Sequence, residues 1–409
     1  MTNRPWQCQE VDIRANSRST RPALAEAPAS RLFWLKTSVI SAFCIGLWMS
    51  RALWIGPRSY PLTPLSSLLP VIGDTLSLVL YVALFVLAGI ALLVPKPGWP
   101  IAAFLAVMAA FCLTDQTRWQ PWVFQFSLLL GAMAVCWWNG ADADGGRRML
   151  NIARLIVAFT YIYSGLQKLN LNFMENDFPW MVQPVTNLFP STAQVLRGFG
   201  MAAPFIQIAF GIGLLTHRFR RISLILAVAM HLFILAMFGP MGLDWNNVVW
   251  SWTAAMAVFD VLLFSGADFS WCEIVGNGRD PVHLAAIVLF AILPALSFVN
   301  LWDSYLSSAL YSGNLTEAQI YLSDAGKASL PAAIASRAVH TSPDTNVVNL
   351  QRWAIEDLNV TPYAESRVYK AIAGSVCATL RDRSQLVLVV REQRMFFSRP
   401  ETGFRCSEL

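Results

Sequence analysis

Met149-Leu-Asn-Ile-Ala-Arg-Leu-Ile-Val-Ala-Phe-Thr-Tyr-Ile-Tyr-Ser-Gly-Leu-Gln-Lys168 is the stretch on which the fold turns. It is long enough to cross a bilayer as a helix, which takes about 20 predominantly apolar residues. Its ionisable groups are Arg154, toward the start, and Lys168, at the end. Eight further apolar runs share the pattern: Leu35–Trp54, Leu76–Val94, Ile101–Thr114, Trp122–Trp138, Ala203–Thr216, Ile222–Phe238, Val248–Phe264 and Val282–Asn300. The run Ile101–Thr114 is short, and its loss would invert everything after it. The composition agrees. Hydrophobic residues make up 56% and charged residues 13%, against roughly 25% charged in a soluble domain. Mean hydropathy is +0.48. A purely cytosolic enzyme is excluded.

Basic residues predict the orientation. The amino-terminal segment carries Arg4, Arg14, Arg18, Arg21, Arg31 and Lys36. Alternate connections carry Lys96, then Arg147 and Arg148, then Arg218, Arg220 and Arg221, then Arg279; the intervening ones are poorer. Positive residues stay inside, so the amino terminus is expected in the cytoplasm and, after nine spans, the carboxyl terminus outside. Residues 1–31 read as a disordered cytoplasmic arm and 32–300 as the membrane domain. No cleavable signal peptide is evident, so the first run is expected to be an uncleaved anchor. Short loops suit a bacterial inner (plasma) membrane. The net charge of +5 reports orientation, and no nucleic-acid motif is found.

Residues 301–409 carry eleven basic and eleven acidic residues, the balance of a small soluble α+β domain outside the membrane. Asn314–Gly326 and Arg367–Thr379 are expected to be helices, and Gln385–Val390 to pair with Arg394–Ser398 as a hairpin. Cys377 and Cys406 are its only cysteines. An oxidising compartment allows a disulfide between them, and two unpaired thiols are the alternative that spacing leaves open. No CxxC is present, and no metal site is expected. The fold class is thus an all-α polytopic membrane bundle of about nine helices with a small α+β extramembrane domain at its end.

Ionisable groups in or beside apolar runs are costly in lipid and tend to be paired or functional. On the expected topology Asp74, Asp115, Gln116, Arg118, Lys168 and Asp244 gather at the outer face, with His231 near the middle of its run; Arg154 and Asp260 lie nearer the cytoplasmic side. Each has a plain structural reading. Lys168 snorkels to the interface. His231 makes a helix–helix hydrogen bond. Asp115 and Arg118 form an ion pair around a helix break at Pro121, and Asp74 faces a helix dipole.

Two stretches go further: Tyr161-Ile-Tyr-Ser-Gly-Leu-Gln-Lys-Leu-Asn170, and Leu113-Thr-Asp-Gln-Thr-Arg-Trp-Gln-Pro-Trp-Val-Phe-Gln-Phe126. With Gly211-Ile-Gly-Leu-Leu-Thr-His-Arg-Phe-Arg-Arg221 and Met230-His231-Leu232, they resemble the HTTM superfamily, the membrane module of vitamin K-dependent γ-carboxylases, over residues 35–300. The resemblance implies Lys168 as a catalytic base acting with a reduced quinone. It makes His231 a candidate partner in place of a family histidine that Trp119-Gln120-Pro121-Trp122 lacks. Tyr161, Asp115, Arg118, Asp74 and Trp119 would line the substrate or quinone pocket. The expectation is a quinone- or lipid-using membrane enzyme. The alternative is a membrane chaperone, immunity or assembly protein whose residues 301–409 hold a protein or peptide partner. A transporter with two related halves finds no support in internal symmetry.

Overall fold

The computed structural model describes residues 28–66, 68–138, 143–275, 280–392 and 400–409. The arm expected over residues 1–31 lies outside this set as far as residue 27. Each apolar run falls on a helix: α1 (Pro28–Met49), α2 (Asp74–Leu93), α3 (Gly98–Thr114), α4 (Pro121–Trp138), α5 (Ala143–Gln167), α6 (Ala193–Leu215), α7 (Arg220–Phe238), α8 (Val248–Phe264) and α9 (Pro281–Val299). Seven are long and apolar enough to cross a membrane; α3 and α8, at 17 residues each, are shorter. The protein is a multi-pass membrane protein. A π turn over Val288–Ile292 interrupts α9 just before Pro294, where proline removes a backbone donor.

The bundle is held by rings and by glycines. Phe43 of α1 meets Phe104 of α3 and Trp122 and Phe126 of α4, with ring centroids 5.0, 5.5 and 5.7 Å away. Lipid gives helices no hydrophobic reason to associate, so close backbone approach through small residues does that work. Gly165 of α5 and Gly211 of α6 provide it. A Cβ on Gly211 would lie 2.9 Å from Ile162 Cγ1 and 3.1 Å from Tyr161 Cβ, and one on Gly165 would lie 2.8 Å from the Pro204 carbonyl oxygen.

Beyond the helices lies a five-stranded antiparallel sheet in the order β2-β3-β1-β4-β5, formed by β1 (Glu317–Leu322), β2 (Val339–Ser342), β3 (Thr345–Asn349), β4 (Leu386–Arg391) and β5 (Glu401–Arg405). Register pairs Ile320 with Val348 and Leu388. Ala318, Ile320, Leu322, Val348, Leu386, Leu388 and Val390 are buried on one face, with α10 (Leu350–Leu358) and α11 (Ser366–Cys377) supplying Trp353, Leu358, Val368 and Ile372. Cys377 and Cys406 are joined by a disulfide with a Cα–Cα distance of 5.8 Å.

One expectation is corrected here. Asn314–Gly326 contains strand β1. Its Glu, Ala and Gln favour a helix, but the buried positions alternate, which is the period of a strand. Pairing on both sides overrides local propensity. The strand expected at Arg394–Ser398 lies outside the described residues, and β4 pairs with β5 instead. The helix expected at Arg367–Thr379 is α11.

The sheet unit sits on one end of the bundle. Asp357 accepts hydrogen bonds from the Ser59 and Tyr60 amides (2.7 and 2.6 Å), Asn359 donates to the Met49 carbonyl (2.9 Å), and Gln120 donates to the Thr361 carbonyl (2.9 Å). Asn170 donates to the Ser312 carbonyl at 2.7 Å. The connections after α1, α3, α5 and α7 all gather at this end, as alternating helix directions require. Arg367 completes the dock, pairing with Asp303 and donating to Gln116 at 2.9 Å.

Two measurements test this packing. Gly211→Val is expected to cost about 1–3 kcal/mol through overpacking and to lower the melting temperature in detergent; Gly89→Val, whose Cβ meets nothing within 4 Å, should be nearly neutral. Equal effects would contradict the α5–α6 contact. The second concerns Glu365, whose carboxyl accepts from the Ser304 amide and hydroxyl. Burial, then Asp303, pushes it up to about 7. The unfolded carboxyl therefore loses its proton first as pH rises, so stability falls between the ordinary carboxylate range and about pH 7. Glu365→Gln should flatten that decline in a pH series of thermal melts, and an unchanged slope would refute it.

Candidate functional site

Tyr161 and Ser164 of α5, and Lys168 just past its end, recur on one face that lines a cavity of about 500 Å³. The wall is mostly apolar: Phe173, Phe178, Phe199, Ile206, Phe210, Leu226, Met230 and Phe233. Phe199 of α6 and Leu226 and Ala229 of α7 line the cavity and are exposed. The cavity is thus bounded by α5, α6 and α7.

Its polar groups are few and specific. Lys168 Nζ donates to the Ser164 carbonyl at 3.0 Å and to Ser164 Oγ at 2.6 Å, and lies 5.9 Å from the centroid of Phe173. Deeper, the Tyr161 hydroxyl donates to Asp260 Oδ2 at 2.7 Å and stands 2.7 Å from His231 Nε2. The hydroxyl has one proton. With that proton on Asp260, the bond to His231 runs from Nε2–H to the Tyr161 oxygen. His231 Nε2 and Asp260 Oδ2 are 3.7 Å apart, and all three side chains are buried. His231 Nδ1 and Asp260 Oδ1 have no partner among the described residues. This array can hold and move a proton. Asp260 was set apart by sequence reasoning as a residue of the opposite side. The signal that could have found it is its depth in an apolar helix, where a carboxylate must be paired.

The other predicted residues are elsewhere. Asp115 is fully buried, 2.7 Å from Arg58 and 3.8 Å from Arg118, and it accepts from the Thr63 hydroxyl at 2.9 Å and the Thr117 amide at 3.1 Å. Burial drives its carboxyl up, but Arg58, then Arg118, with hydrogen bonds from Arg58 and Thr63, outweigh that and hold it below its ordinary value. Arg118 donates to the Leu53 and Phe111 carbonyls, and Trp119 to the Cys112 carbonyl. These groups clamp the turn between α3 and α4. Asp74 and Arg118 line a different cavity, of about 390 Å³. The grouping of Asp115, Arg118, Asp74 and Trp119 with Lys168 is therefore not what the fold brings together.

Sequence reasoning also passed over Gln167 and Asn170. Gln167 donates to Ser297 Oγ (2.8 Å) and accepts from Asn314 (2.7 Å), and Asn170 holds the Ser312 carbonyl and the Phe173 amide. They seat the 308–314 segment over the cavity. Gly313, at φ 68°, touches Phe173 so closely that a Cβ would lie 2.4 Å from its amide nitrogen.

A family model described as methylamine utilisation protein MauE matches residues 147–245, which hold most of α5, all of α6 and α7, and the Tyr161, Lys168 and His231 positions. No curated protein and no solved structure matches the chain. The match corrects the resemblance to the HTTM superfamily, and with it the support for carboxylation and for a quinone. The quoted motifs have a simpler physical origin: Gly165 and Gly211 are where two membrane helices touch, and Lys168 ends a helix at the sheet side of the bundle.

Tyr161→Phe should leave His231 and Asp260 facing each other without the bridging hydroxyl. A loss of about 1–3 kcal/mol is expected for the unpaired buried groups, read as a lowered melting temperature. No loss would mean that the hydroxyl is not their shared partner.

Proposed function

We propose that this multi-pass membrane protein takes a lipid-like ligand sideways from the bilayer into the α5–α6–α7 cavity. There Lys168 meets the ligand's polar head, as the acid–base group of a reaction on it. The observation that carries this reading is an apolar cavity with a lysine in its wall, lined in part by exposed residues of the apolar helices α6 and α7. Among the described residues the hydrogen bonds of Lys168 Nζ go to Ser164, a neutral partner four residues earlier. A carbonyl, carboxylate or phosphate head can replace that partner at little cost. A water-soluble substrate would leave the phenylalanine-rich wall unsatisfied. The description of the matching family, methylamine utilisation, is compatible with a membrane-embedded role and assigns no reaction to this chain.

In this reading residues 32–300 form the membrane domain and 301–409 an outer domain. The sheet end then faces away from the cytoplasm. Arg147, Arg148, Arg218, Arg220 and Arg221 lie at the opposite helix ends, the arrangement that positive-inside retention favours, and the Cys377–Cys406 disulfide suits an oxidising compartment.

Mass spectrometry of lipids retained on the purified protein tests the reading. The wild type is expected to hold a specific lipid. Ala203→Trp, which fills part of the cavity, should lose it. Lys168→Ala should weaken retention about tenfold, the worth of one charge-assisted hydrogen bond. Identical bulk lipid in all three proteins would refute the site.

A further inference from the structure

A second cavity, of about 620 Å³, lies between the sheet unit and the helix ends, lined among others by Trp180, Trp245, Asn349 and Arg352. Tyr311 lines both this cavity and the membrane cavity. The chain around it divides accordingly: Ser308 and Leu310 face the membrane cavity, Gly313 and Leu315 the outer one. Tyr311 is thus a shared wall.

The wall is held under strain. Ser308, Tyr311 and Gly313 have φ of 58°, 53° and 68°. A bulky residue at positive φ is a genuine outlier, and such strain persists only where the surroundings impose it, often at functional sites. Here they impose it from several sides. The ring packs on Phe238 (5.0 Å between centroids) and Trp180 (6.2 Å), and Asn246, itself at φ 44°, donates to the hydroxyl at 2.8 Å. A glycine would occupy this backbone without strain. Tyrosine is kept there at a cost, and what it supplies is a ring between two cavities.

We propose that the outer cavity is a second binding compartment for a small, polar, water-soluble reactant, and that Tyr311 is the partition across which this reactant meets the lipid-like ligand. The inference rests on the lateral-access reading of the membrane cavity and adds the second substrate's side of the same site. The two compartments suit opposite chemistries. One is walled by phenylalanine and leucine. The other is mixed, with Trp180, Trp245, Leu315 and Ile355 beside the amide, carboxylate and guanidinium groups of Asn349, Gln351, Glu356 and Arg352. A lipid and a polar molecule can each enter from its own phase, with one aromatic ring separating them.

The test places a thiol in the membrane cavity by Ser164→Cys, in full-length protein whose Cys8, Cys44, Cys112, Cys136 and Cys272 are replaced by alanine, reconstituted in lipid nanodiscs. Two probes are used, N-ethylmaleimide and a charged, membrane-impermeant methanethiosulfonate. With Tyr311 present, N-ethylmaleimide is expected to label position 164 and the charged reagent to label it slowly. Tyr311→Gly, which removes the ring and relieves the backbone, should raise the charged-reagent rate about tenfold or more, since thiol labelling follows access. Tyr311→Phe keeps the ring and should label like the parent. An unchanged charged-reagent rate in Tyr311→Gly, with its melting temperature preserved, would overturn the partition, as would fast charged labelling of the parent. Failure of N-ethylmaleimide alone, with the charged reagent still responding to Tyr311→Gly, would count against lateral access and leave the partition standing.

Discussion

A polar atom inside this bundle has no water to fall back on, and the rest of the structure follows from that constraint. In hydrocarbon each unsatisfied donor or acceptor costs several kcal/mol, so buried polar groups must find one another across helices. Arg154 donates to the Leu263 carbonyl and to Asn151. Gln125 links Thr160 to Trp252. Gln167 reaches α9 and the strap below the sheet. These bonds fix the rotation of each helix and decide which face of α5 looks into the cavity. The exceptions are then informative. His231 Nδ1 and Asp260 Oδ1 are buried without a hydrogen-bond partner among the described residues, and His231 lines the membrane cavity.

The same constraint explains what could be read from the sequence. Nine apolar runs and their charged flanks were legible because the lipid imposes a length and a composition on any helix that meets it. The sheet was harder. Asn314–Gly326 has the residues of a helix and the alternation of a strand, and its partners lie up to about seventy residues away along the chain. Sequence spacing cannot supply such partners.

The site was half legible for a related reason. Tyr161, Ser164 and Lys168 share one apolar run at helical spacing, so periodicity alone puts them on one face. Asp260 comes from α8 and His231 from α7, and their meeting at one hydroxyl is a property of packing. Asp115 and Arg118 sat in the right connection for the expected pocket. What claimed them was Arg58, together with the carbonyls that the broken helix leaves unpaired, and a single chain read in order gives no measure of that competition.

The sheet unit gains a role from this geometry that its modest size does not suggest. It touches the connections after α1, α3, α5 and α7 and carries the strap that ends at Tyr311 and Gly313. Removing it would take Asn314 from Gln167 and the Ser312 carbonyl from Asn170, and would remove the Tyr311 ring from the cavity wall. The docked domain is therefore part of the site's architecture. Its side of the wall mixes tryptophans with charged and amide groups, the helices' side is almost wholly apolar, and the cost of keeping a tyrosine in a left-handed conformation falls where the two meet. A bulky ring kept at positive φ between two unlike cavities is what a fold would retain if each had to be kept apart from the other.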